Sequence, residues 1–180
     1  MRAPDVAQAA ERLRRPPLRA ALVAKRALDV LLAVVALVAL LPVMALIVVA
    51  HLGDAGGCIE RQVRLGRDGL PVALLRFRAL PGGLGQALDR LGARNIPLLF
   101  AVVRGQLSFV GPRALAPGTD ARHTGPRRLM APGLTGPAQR WAGDPDAAAR
   151  LDDAYVARWS LARDLRLLSG AARRRTPTPS

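Results

Sequence analysis

Arginine is the residue type in this sequence with the most chemistry to offer. The chain carries 27 basic residues, and Lys25 is the sole lysine among them. A guanidinium group grips phosphate oxygens through parallel N–H donors, which a lysine ammonium cannot do. With a formal net charge of +14, the chain should meet acidic partners: phosphorylated small molecules, anionic lipid or nucleic acid. A GC-rich genome would produce the same arginine bias, and that reading weighs as much. Nucleic acid ranks last, because aromatic residues make up only 3% and no nucleic-acid motif occurs. The single Cys58 excludes an internal disulfide and fits a reducing compartment, and no Cys/His cluster has zinc-site spacing.

Those arginines flank an apolar run. Residues 30–50 read VLLAVVALVALLPVMALIVVA, without a charge or a polar stripe. A helix of this length at about 1.5 Å per residue reaches across a bilayer core, whereas a soluble helix keeps one polar face. Arg12, Arg14, Arg15, Arg19, Lys25 and Arg26 precede the run, and Arg61, Arg64 and Arg67 follow it. Basic flanks favour the cytoplasmic side, and here both flanks are basic. Pro42 removes a helix hydrogen bond inside the run. A helix that enters the membrane, bends at Leu41-Pro42 and returns satisfies both observations; a tilted single span is the alternative. Asp29, at the mouth of the run, should sit near the headgroups and pair with Lys25 or Arg26.

Beyond the run, Asp68-Gly69 signals a turn between two extended stretches, hence a β-hairpin. Leu80-Pro-Gly-Gly is a breaker. Asn95 suits an N-cap, Pro97 the first turn, and Gly105 the stop of a helix over LLFAVV. LSFVGPR reads as a short strand and MAPGLTGPAQR as a loop. A last helix is expected to begin at Asp152-Asp153, to present Leu151, Ala154, Tyr155, Ala162, Leu165 and Leu168 on one face, and to stop at Gly170. Trp141 and Trp159 read as packing residues, His51 as a boundary residue and His123 as a loop residue. The expected division is a basic segment (1–24), a membrane-inserted helix (25–52), a cytosolic domain (53–170) and a disordered tail (171–180).

In this order the pieces KRALDVLL with LLPVMAL, RQVRLGRDG, LLRFRAL, VVRGQLSFVGPR, APGLTGPAQ and LDDAYVARWSLARDLRLL resemble the bacterial sugar transferase family, the monotopic phosphoglycosyl transferases of exopolysaccharide and glycoconjugate synthesis. The resemblance covers residues 25–168. It implies a helix-rich α+β fold: a Pro-kinked re-entrant membrane helix, then a small cytosolic domain with a β-hairpin and amphipathic helices. It also implies the cytosolic face of the bacterial inner membrane. Such enzymes move a sugar phosphate from a nucleotide sugar to polyprenyl phosphate. An aspartate of an Asp-Glu pair attacks phosphorus, and Mg2+ assists.

Aligned from Pro97 without a gap, the two positions of that pair hold Arg94 and Asn95. A permanently protonated arginine is no phosphoryl acceptor, and asparagine brings no charge for metal or proton. The segment between Leu80 and Gly85 is also shorter than the family's charged loop. Asp89 is the first fallback nucleophile, although on a helix it would face away from Arg94; Asp68 and Asp120 read as turn and loop residues. The phosphate-binding positions survive better: Arg76, Arg78, Arg104, Gly111, Pro112 and Arg113, with Gly111 and Gly133 expected to let backbone approach a ligand. The chain is therefore expected to be an inactive accessory or regulatory homologue, binding membrane lipid, polyprenyl phosphate, a nucleotide sugar or an active transferase. The alternative is an active transferase with a non-standard nucleophile.

Overall fold

A computed structural model describes residues 5–52, 56–119, 124–139 and 144–173, with side chains to residue 170. The tail after residue 173 and the residues Asp120, His123 and Trp141 lie outside the described residues.

Three helices open the chain: α1 (Val6–Arg14), α2 (Pro16–Ala39) and α3 (Leu41–Ala50). Asp5 caps α1 by accepting from the Ala7 N–H at 2.9 Å. Expected only as a basic segment, α1 docks on the domain: Leu13 is buried, and Arg12 donates to the carbonyls of Ala157 (2.8 Å) and Trp159 (3.3 Å). The long helix α2 starts at Pro16, inside that segment. It meets α3 at a 56° bend. Pro42 cannot donate to the carbonyl four residues back, and the chain breaks at Leu40, just before the expected Leu41-Pro42. Among the described residues no single helix is long and apolar enough to cross a membrane, but the bent pair together has the length and composition.

One stripe of α2, Lys25, Asp29 and Ala33, is buried at successive turns. Asp29 does pair with Lys25 (3.5 Å), but inside the protein: it accepts from the Ser108 hydroxyl (2.7 Å) and the Phe109 N–H (3.3 Å). Lys25 also reaches Asp164 at 2.8 Å. His51, read as a boundary residue, is buried, with Nδ1 2.8 Å from the Ile47 carbonyl.

The hairpin forms as expected. Strands β1 (Ile59–Leu65) and β2 (Pro71–Phe77) pair antiparallel, with Glu60 opposite Arg76 and Gln62 opposite Leu74. Asp68 and Gly69 both take positive φ (56° and 78°), as primed hairpin turns require. After α4 (Gly82–Arg90) and a 3-10 turn at Ala93–Asn95 comes α5 (Leu98–Val103). Asn95 does not cap α5. Pro97 holds the cap position without a side-chain bond, and Asn95 sits in the preceding turn.

MAPGLTGPAQR, expected as a loop, supplies a strand. β3 (Ser108–Val110) pairs parallel with β4 (Gly133–Thr135). The contact needs glycine: a Cβ on Gly111 or Gly133 would collide with the backbone of the opposite segment. The last helix is two, α6 (Pro145–Ala157) and α7 (Leu161–Arg173), so Asp152 lies inside α6 and Gly170 inside α7. The break lets Trp159 turn inward, fully buried, where its Nε1 (3.1 Å) and the Tyr155 hydroxyl (2.6 Å) both donate to Asp164. Leu151, Ala162 and Leu165, three residues of the expected apolar face, lie exposed.

Two apolar clusters result. One joins α5 to Ala33, Ile47, Leu74 and Phe77; the other gathers Leu13, Val110, Met130, Tyr155, Val156 and Trp159.

Candidate phosphate-binding site

The hairpin presents one face of alternating side chains, Gln62 and Arg64 on β1 with Leu74 and Arg76 on β2. Opposite stand Arg113, after β3, and Arg127, in the 3-10 turn Pro126–Leu129. These residues, with Leu98, Leu107, Thr119 and Gln139, line a cavity of about 450 Å³. Four arginines on one cavity make it a candidate anion site, because guanidinium fork geometry suits phosphate oxygens.

Arg127 is its anchor, only 2% exposed. It donates to Asp152 Oδ2 at 2.6 Å and to the Arg113 carbonyl at 3.2 Å, while its Nε has no hydrogen-bond partner among the described residues. The Arg113 N–H donates to the same Asp152 oxygen at 2.8 Å. One buried carboxylate thus holds both arginine segments. Burial pushes the Asp152 carboxyl up to about 6, against the pull of the Arg113 N–H and the Arg127 guanidinium.

Of the residues expected to contact ligand, Arg76 and Arg113 line this cavity and Arg78 and Arg104 do not. Arg78 is exposed and donates to the Gly56 carbonyl at 2.6 Å; Arg104 ends α5 in solvent. Gly111 and Pro112 belong to the β3–β4 junction, where Gly111 N–H bonds the Thr135 carbonyl and Gly133 N–H bonds the Pro112 carbonyl, both at 3.0 Å. The close approach those glycines permit is to each other's segments. Sequence reasoning missed Arg64 and Arg127. The signal for Arg127 was there: Gly125-Pro126-Arg127 repeats the tripeptide Gly111-Pro112-Arg113.

The position aligned with the catalytic aspartate is occupied and satisfied. Arg94 donates to the Phe77 carbonyl (3.1 Å) and to Glu60 Oε1 (3.2 Å), and lies 3.8 Å from Asp89. Asp89 was expected to face away. The left-handed Gly92 (φ 75°) turns the chain back and brings it beside Arg94. Glu60, also missed, shares the hairpin face of Gln62 and Arg64. Asn95 is exposed. Among the described residues no three His, Cys, Asp or Glu are grouped to hold a metal ion. Glu60 and Asp89 face a guanidinium, so the described residues do not fit the magnesium that the resemblance implies.

The chain belongs to the bacterial sugar transferase family, whose model matches residues 20–83 and 82–175. The two matched segments meet at Gly82-Gly83. Among similar proteins is the UDP-glucose:undecaprenyl-phosphate glucose-1-phosphate transferase of Escherichia coli (strain K12), 28% identical over 177 residues, covering 80% of this chain and 38% of that protein. The exopolysaccharide production protein ExoY of Sinorhizobium fredii is 27% identical, covering 79% of this chain and 81% of its own length. An uncharacterized sugar transferase of Bacillus subtilis, EpsL, is 33% identical over 130 residues, 60% of this chain and 64% of that protein. The chain thus spans well under half of the Escherichia coli relative.

Proposed function

We propose that this chain is a membrane-bound, catalytically inactive member of its family. It binds a phosphorylated ligand, a nucleotide sugar or polyprenyl phosphate, in the arginine cavity and acts as accessory or regulator in polysaccharide assembly. The observation that carries this reading is Arg94: the nucleophile position holds a cation paired with the two acids beside it, while four arginines line a separate cavity on the same hairpin face. A covalent phosphoryl intermediate needs a carboxylate free to attack. Glu60 and Asp89, the acids nearest that position, are each paired with Arg94 instead.

The membrane reading rests on α2 and α3, where Val23, Leu31, Val35, Val38, Leu41 and Val49 all lie exposed. Apolar surface on this scale is unsuited to water. Basic residues on both flanks support a re-entrant arrangement on the cytosolic face of the inner membrane.

The test uses the full chain in lipid nanodiscs with undecaprenyl phosphate, magnesium and UDP-sugars. UMP release and UDP-sugar binding are measured separately. Binding without release supports the proposal; release above background overturns it. A second reading, an active transferase, draws on the closeness of Asp89 and Glu60 to the aligned nucleophile position. It requires release that is lost in Asp89→Asn or Glu60→Gln.

A further inference from the structure

A second basic cavity lies on the other side of Leu107. Of about 410 Å³, it sits between α1, α2 and the Leu129–Ala131 segment, with Leu13, Leu22 and Met130 as apolar walls. Two of its cations are committed elsewhere. Lys25 pairs with Asp29 and Asp164, and Arg26 donates to the carbonyls of Val102 (2.6 Å) and Val103 (2.8 Å), closing the end of α5. Three are available: the guanidinium groups of Arg14 and Arg19 make no hydrogen bond or ion pair among the described residues, and Arg67 has only an exposed 3.5 Å contact with its neighbour Asp68. Asp29, the one acid on the wall, is satisfied by Lys25, Ser108 and Phe109.

The cavity opens onto an apolar strip. Arg19, Leu22 and Arg26 border both, and from them the strip runs along α2 past Val30, Leu31 and Val34. A cationic rim leading into a lengthwise apolar track fits an amphiphile with an anionic head.

We propose that this groove is a headgroup site for an anionic glycerophospholipid of the surrounding bilayer. The inference rests on the membrane reading above. The two cavities share Leu107 and no polar residue. A phosphate seated on Arg14 and Arg19 is therefore walled off from the arginine cavity. That favours a lipid that is held over one that is delivered for transfer. Bound there, it would fix α1 against α2 and set the depth of the arginine cavity below the membrane surface.

The full chain, delipidated in detergent, is incubated with phosphatidylglycerol, phosphatidylcholine or undecaprenyl phosphate, and bound lipid is counted by native mass spectrometry. Phosphatidylglycerol should bind at least about thirtyfold more tightly than phosphatidylcholine, and Arg14→Gln/Arg19→Gln should weaken it roughly thirtyfold while leaving phosphatidylcholine unchanged. Each single variant should lose part of the preference, which keeps the test open if the double variant misfolds. Equal binding of the two phospholipids, or a preference that survives the variants, overturns the inference. So does undecaprenyl phosphate displacing phosphatidylglycerol in an Arg14- and Arg19-dependent way, which would make the groove an acceptor site. Flotation with pure phosphatidylcholine vesicles separates the two readings. A chain that fails to float defeats the membrane reading itself; one that floats without headgroup preference defeats only this site.

Discussion

Charge reversal at Arg94 should make Glu60 change sign. In the natural protein Arg94 joins the hairpin to the turn before α5 through the Phe77 carbonyl, Glu60 and Asp89. The groups are about one-third exposed, so each ion pair is worth only ~0.2–1 kcal/mol. A charged donor on a carbonyl adds ~1.5 kcal/mol. Arg94→Ala should therefore cost about 2 kcal/mol, a melting temperature lower by about 6 °C for a chain of this size. Arg94→Asp also sets a third carboxylate beside two others. At a separation of about 6 Å and an effective dielectric near 40, each repulsion is ~1.4 kcal/mol before salt screening. The total before screening is about 5 kcal/mol, or roughly 15 °C.

Glu60→Gln then destabilises the natural protein by ~0.5 kcal/mol but stabilises Arg94→Asp by ~1 kcal/mol. The four proteins would be melted in identical nanodiscs, followed by circular dichroism at low salt and at 0.5 M salt, where the repulsion should shrink. If Glu60→Gln lowers the melting temperature in both backgrounds, or in neither, Arg94 is no charge-matched staple. The inactive reading would then lose its main support. The result also bears on repair: Arg94→Asp/Asn95→Glu should release UMP only weakly unless Glu60→Gln accompanies it.

Three further outcomes are expected. Arg113→Ala should weaken UDP-sugar binding about tenfold or more by calorimetry while Arg78→Ala leaves it unchanged, because one lines the cavity and the other binds the Gly56 carbonyl. Gly133→Ala should destabilise by more than about 2 kcal/mol in thermal unfolding, since the added methyl meets the backbone of Gly111. Asp152 has its folded pKa raised from 3.8 to about 6, so the folded state holds the proton more tightly than the unfolded one. Its contribution is full below about pH 4 and is lost as pH rises through about 6, on the order of 3 kcal/mol; Asp152→Asn should flatten that slope in a stability–pH series.

The family was legible in the sequence because its motifs are local. The hairpin, the proline-broken apolar run and the missing acids at Arg94 and Asn95 depend on neighbours a few residues apart, where turn geometry and helix period act directly. The arginine bias made an anionic ligand an expectation, though composition alone does not separate it from genome bias. Tertiary structure decided what distance along the chain conceals. Parallel pairing of β3 with β4 joins segments far apart, and no local pattern announces it. Burial of Trp159 against Asp164 splits a helix that periodicity would have continued. The left-handed turn at Gly92 reverses the direction of Asp89, and the hairpin register carries Glu60 to Arg94. Which arginines meet in one cavity is likewise a matter of packing: Arg64, Arg76, Arg113 and Arg127 come from three separate segments, and Asp152 of a fourth holds two of them in place. Residue type sets what a side chain can bind; only the folded chain sets which side chains bind together.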